Sequence, residues 1–93
     1  MNDRLRLVRR ADVFTQPLDD ELVLYDPGSG ETHVLNPTAH RTWTLLDGTR
    51  SVAALARALA AEYGVSYARV RADLEALLDR LAAAGLLVGA DGG

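Results

Sequence analysis

The chain has 93 residues, 48% of them apolar, and a formal net charge of −3. Length and composition predict one domain, residues 1–93 with a core of about 5–88, near the lower size limit for independent folding. The absence of an eighteen-residue apolar run, of an apolar segment behind the N-terminus and of any cysteine argues against a membrane span, a secretory signal, disulfides and thiol chemistry, and fits a cytoplasmic protein.

The charge is spread evenly. Residues 1–50 carry six Arg against eight acids, and residues 51–93 carry four against five. The isoelectric point is near 5.2, whereas a nucleic-acid binder usually shows a basic face. All the basic residues are Arg, which together with the abundant Ala, Leu and Gly reads as a GC-rich coding sequence.

In chain order, the first third reads as strands. "RLRLVRR" alternates Arg4 and Arg6 with Leu5 and Leu7, a period of two. "DVFTQPL" is a second extended candidate closed by Pro17. "ELVLYD" at 21–26 and "ETHVLN" at 31–36 flank the turn "PGSG", where Pro27 sets φ and Gly28 or Gly30 can take positive φ, so the three pieces predict a hairpin.

The rest reads as three helices. Asn36 suits an N-cap and Pro37 the first helical position, where no N–H is needed. Helix one runs to about Leu46, ends at Asp47-Gly48, and turns Ala39, Trp43 and Leu46 inward, with Leu45 flanking. Ser51 caps helix two, with the stripe Val52, Leu55, Ala56, Leu59 and Tyr63 and a stop at Gly64. Ser66 caps helix three, with the stripe Val70, Leu74, Leu77, Leu78 and Leu81 and a stop at Gly85. A short extended "LLV" follows. Residues 1–4 and 89–93 read as frayed ends. The content is α+β and winged-helix-like, an N-terminal three-stranded antiparallel sheet followed by three helices.

No catalytic pattern appears. His33 and His40 are seven residues apart across a strand-to-helix break, with no carboxylate in a ligand motif, so no metal site is expected. Ser29, Ser51 and Ser66 lie in no Gly-x-Ser-x-Gly elbow, and two of them are explained as caps. "PGSGET" lacks the Gly-Lys-[Ser/Thr] ending of a phosphate loop. Glu75 and Asp79 read as a solvated helix edge, Trp43 as a core anchor, and Arg4, Arg6, Arg9 and Arg10 as a solvated strand face or arm. No cofactor is expected.

"LVLYDPGSGETHVLNPTA", an amphipathic helix, "LLDGTRSVAALARAL" and "VRADLEALLDRLAAAGLLV" together resemble the PqqD-like peptide chaperones, also called RiPP recognition elements, over roughly residues 18 to 88. The Leu-Asn-x-[small]-Ala joint, the Leu-Asp-Gly-x-x-[Ser/Thr]-Val step and the closing Gly-Leu carry the resemblance through their order and spacing. "YDP-turn-GETH-LN" looks most like the variety encoded beside a kinase related to HPr kinase, and is also similar to the stand-alone leader-binding proteins of lasso-peptide clusters.

The resemblance implies a non-catalytic module. It would bind the leader of a precursor peptide by strand addition between the third strand and the third helix, and present it to a modifying enzyme encoded nearby. On helical spacing and this resemblance together, Val70, Leu74 and Leu77 would line the groove, Arg69, Asp73 and Arg80 its rim, and Thr32, His33 and Val34 its strand. Two other classes fit the element order. One is a winged-helix nucleic-acid binder, against which stand Asp73, Glu75 and Asp79 on helix three. The other is a structural homodimer through the open strand edge.

Overall fold

The computed structural model describes residues 3–89. Nine elements follow one another: β1 (Arg6–Arg9), β2 (Phe14–Leu18), β3 (Glu21–Asp26), β4 (Glu31–Leu35), α1 (Pro37–Leu45), β5 (Asp47–Ser51), α2 (Val52–Tyr63), α3 (Tyr67–Ala83) and β6 (Leu87–Gly89). The expected three-stranded antiparallel sheet is β2–β3–β4, and the three expected helices follow it. A second three-stranded sheet, β5–β1–β6, was not expected.

The first extended candidate lies outside the hairpin's sheet and pairs antiparallel with β5 and β6. Asp47-Gly48 ends α1 but opens a strand, because the chain leaving α1 meets the free edge of β1, with Val8 opposite Asp47 and Arg6 opposite Ser51. The frayed-end expectation falls partly on residues 1–2 and 90–93, which lie outside the described residues. Asp3 and Gly89 are tied down: the Asp3 carbonyl accepts from the Ala53 N–H, its carboxylate pairs with Arg71, and Gly89 sits opposite Leu7.

The hairpin β3–β4 is in register from Leu22 opposite Leu35 to Asp26 opposite Glu31. Side chains alternate across a strand. Leu22, Leu24 and Leu35 are buried on the helix side. The opposite face is exposed and carries Phe14 and Tyr25, stacked 6.4 Å apart, with Leu18 and Val34. On β2, Pro17 stands opposite Leu22.

The helix boundaries follow local chemistry. The Asn36 Oδ1 accepts from the Ala39 N–H at 2.8 Å, the Ser51 Oγ from the Ala54 N–H at 3.1 Å, and the Ser66 Oγ from the Arg69 N–H at 3.3 Å. Each satisfies one N–H that the first helical turn leaves without a partner. Asn36→Ala should therefore lower stability by about 1 kcal/mol, read as a shift in the urea midpoint at constant slope. Gly85 takes φ +74° beyond the end of α3, where a side chain would be strained.

The core gathers Leu22, Leu24 and Leu35 from the hairpin, Trp43 and Leu46 around α1, Leu55 and Leu59 from α2, and Leu74, Leu78 and Leu81 from α3, closed by Leu86. Trp43 is the anchor its solitary place in the sequence suggested. Arg9 and Arg10, expected to be solvated, are half-buried and engaged. Arg9 donates to the carbonyls of Trp43 and Thr44, both at 3.3 Å, and so covers the carbonyl end of α1.

Arg10 does more. Its guanidinium spans Asp12 at 2.7 Å, Asp26 at 3.0 Å and the Gly85 carbonyl at 3.1 Å. Asp26 is buried on the inner face of β3 and also accepts from the Gly28 N–H at 3.0 Å. Burial pushes the Asp26 carboxyl up, but the bonds from Arg10 and Gly28 and the Arg10 charge outweigh it and hold the group below the usual carboxylate range. One side chain thus joins the β1–β2 link, the end of β3 and the end of α3.

Candidate functional site

Among the described residues, β4 has a sheet partner on one side only, β3. Its other edge faces α3 across a groove. The helix runs antiparallel to β4 and α1, so the groove is lined in three successive stretches.

Beside the strand, a cleft of about 190 Å³ lies between His33, Val34 and Leu35 and the α3 residues Arg80, Leu81 and Ala84. At the strand-to-helix joint it widens to about 520 Å³, bounded by Asn36, Thr38, Asp73, Leu77 and Arg80. Beyond the joint it becomes a pocket of about 390 Å³ with Leu59, Tyr63, Val65, Val70, Leu74 and Leu77 as its apolar wall. Successive stretches share Arg80, then Thr38, Asp73 and Leu77, so the groove is continuous along α3.

The residues singled out by sequence fall into three groups. Val70 and Leu77 are half-buried and line the groove, and Leu74 is buried beneath it, contributing to the pocket wall. Arg69, Asp73 and Arg80 are exposed along its rim, and among the described residues none of the three forms an ion pair. On the strand, only His33 turns inward. Thr32 and Val34 lie opposite Tyr25 and Val23 and are exposed on the far face, so they could meet a ligand in the groove only through their backbone.

Sequence reasoning missed the far pocket. Thr38 and Thr42 come from α1, Leu59 and Tyr63 from α2, and Val65 from the link to α3. Tyr63 was expected to close the inward stripe of α2; it is 45% exposed and borders the groove instead. An aromatic at the end of an apolar stripe, just before the Gly64 stop, is the signal that could have pointed there.

The arrangement supplies binding surface. Its walls are apolar, its rim carries unmatched charge, and one side is a row of strand N–H and C=O groups. His33 and His40 do not converge: the His40 Nδ1 lies 2.9 Å from the Asp20 carbonyl, in a different cleft. Among the described residues no group of three or more His, Cys, Asp or Glu could hold a metal ion, and no helix is long and apolar enough to cross a membrane.

Two solved structures share this architecture. One, TbiB1 in complex with the TbiA(beta) leader peptide, is 31% identical, covers 86% of this chain and 93% of its own, and has a TM-score of 0.77. The other, lasso peptide synthetase B1 complexed with the leader peptide, is 32% identical, covers 91% and 98%, and has a TM-score of 0.75. No curated protein matches. The family model of coenzyme PQQ synthesis protein D (PqqD) matches residues 21–87. That span runs from β3 to β6 and holds the hairpin, the three helices and every residue that lines the groove. By that match the chain belongs to the PqqD family.

Proposed function

We propose that this protein is a non-catalytic leader-peptide-binding module, a RiPP recognition element of about residues 5–88. It captures a precursor peptide by strand addition along β4 and presents it to a peptide-modifying enzyme encoded nearby, in the cytoplasm. The observation that carries the reading is the open β4 edge facing an apolar groove along α3. The two relatives held with leader peptides support it.

Magnitudes assign the roles. Ordering six peptide residues costs roughly 6–12 kcal/mol of backbone entropy. About six strand hydrogen bonds return roughly 1 kcal/mol each. The surplus must come from apolar side chains buried in the groove, at about 1.5–3 kcal/mol each. Val70, Leu74 and Leu77 would receive them, with Arg69, Asp73 and Arg80 on the rim. Thr32, His33 and Val34 would offer the strand backbone.

The groove suits both varieties that the sequence resembles. The leader-bound neighbours favour the lasso-peptide type; nothing comparable supports the variety associated with an HPr-kinase-related system. A second copy docking on β4 would compete for the same edge, so a homodimer through it would be the unloaded form.

Selection from a displayed library of randomised twelve-residue peptides tests the reading. The expected result is one enriched extended motif with apolar residues spaced along it. N-methylation of alternate residues of that peptide should abolish binding in one phase and spare it in the other, since only alternate N–H groups face β4. If no motif is enriched, or both N-methylated series bind as well as the parent, strand addition is wrong.

A further inference from the structure

His33 is the strand's inward-facing polar side chain. It stands opposite Leu24, which is fully buried, and shares its cleft with Arg80, Leu81 and Ala84. Its Nε2 is closed off from solvent and has no hydrogen-bond partner among the described residues. The Glu31 carboxylate, itself exposed, lies 3.4 Å from that nitrogen, within ion-pair range but without a hydrogen bond. A buried polar atom without a partner is unfavourable until one arrives.

The surroundings define the partner. From α3, the facing groups are the unpaired Arg80 and the apolar Leu81 and Ala84; from β3, Leu24; from β4 itself, Glu31 and Leu35. Asp26, next along the inner face, is held by Arg10. The strand end of the groove therefore presents an imidazole and a guanidinium, with one carboxylate on its outer lip.

A strand added to β4 turns alternate side chains inward. The one beside His33 has its Cβ about 4.5–5.5 Å from the His33 Cβ and enters this cleft. We propose that His33 and Arg80 form a specificity site for an acidic side chain, Asp or Glu, of the bound peptide. The inference rests on the strand-addition reading and deepens it. Guanidinium has donors only and matches a carboxylate with two of them. The imidazole contributes a donor.

The library selection is repeated on His33→Gln and Arg80→Gln, with circular dichroism to establish that both fold. The wild type should enrich Asp or Glu at one fixed motif position, and each variant should weaken that preference. A labelled peptide of the enriched sequence should bind the wild type about tenfold more tightly than the same peptide with its acid changed to the amide. The difference should shrink in His33→Gln and in Arg80→Gln. An enriched motif without an acid, or an acid preference kept equally by both variants, overturns the inference while strand addition stands. Failure to enrich any motif overturns both.

Discussion

Leu77→Asp should lower the affinity of a groove peptide by a hundredfold or more and leave the protein folded. Leu77 is half-buried and lines both the joint and the far pocket, so a peptide lying along the groove would meet it in two of the three stretches. Losing one apolar anchor costs about 1.5–3 kcal/mol. Covering the new carboxylate with an apolar peptide side chain adds a desolvation penalty of similar size or larger. A hundredfold needs only about 2.7 kcal/mol. The unliganded protein tolerates the change because the introduced carboxylate would face water and a helix accepts an aspartate at a cost below about 0.7 kcal/mol. Leu78, its fully buried neighbour, is the contrast: Leu78→Asp should unfold the chain. Fluorescence anisotropy with the selected peptide, beside circular dichroism of both variants, reads the two effects. Undiminished binding by a folded Leu77→Asp protein would remove α3 from the site.

Asp26→Ala should lower the melting temperature at pH 7 by on the order of 5–10 °C, because it removes the acceptor that ties Arg10 to β3 and that receives the Gly28 N–H. Arg10 would keep Asp12 but lose its link to β3. The sign of the pH dependence follows from the depressed Asp26 carboxyl. A carboxyl that is more acidic folded than unfolded stabilises above its unfolded value of about 3.9, and the contribution is lost as the pH falls through the lower folded value. Wild-type melting temperature should therefore drop steeply below about pH 4, and that part of the drop should be missing in Asp26→Ala. Arg10→Ala should destabilise similarly, and the double variant by less than the sum of the two. Equal melting temperatures for wild type and Asp26→Ala across pH 3–7 would show the pair to be idle.

What the sequence made legible is what a few neighbouring residues decide. Asn36, Ser51 and Ser66 act on N–H groups three residues away, and the hairpin's turn lies between the two strands it joins; all were readable. Strand β5 was not, because Asp-Gly-Thr-Arg-Ser has little strand character and extends only where β1 offers an edge from some forty residues earlier. Asp26 read only as the end of a strand, since its partner Arg10 lies sixteen residues back. The apolar stripe on α3 was legible from helical spacing, whereas its place beside a groove came from the family resemblance. The phase of β4 was legible too, had it been followed: Leu35 must face the core, so His33 does and Thr32 and Val34 do not. The far pocket was not, because no single segment contains it.

Pro17 gives the sheet an asymmetry with a consequence for assembly. A proline inside a paired strand is tolerated where its missing N–H would point away from the partner. On β2 it therefore removes a donor from the free edge, whereas β4 keeps all of its own. Had both edges been open, β4 of one molecule could seat on β2 of the next, and that head-to-tail contact would repeat without closing, as a growing filament. With β2 blunted, that sheet keeps one fully open edge, and a copy-to-copy contact through it would pair β4 with β4, which closes as a pair and does not propagate.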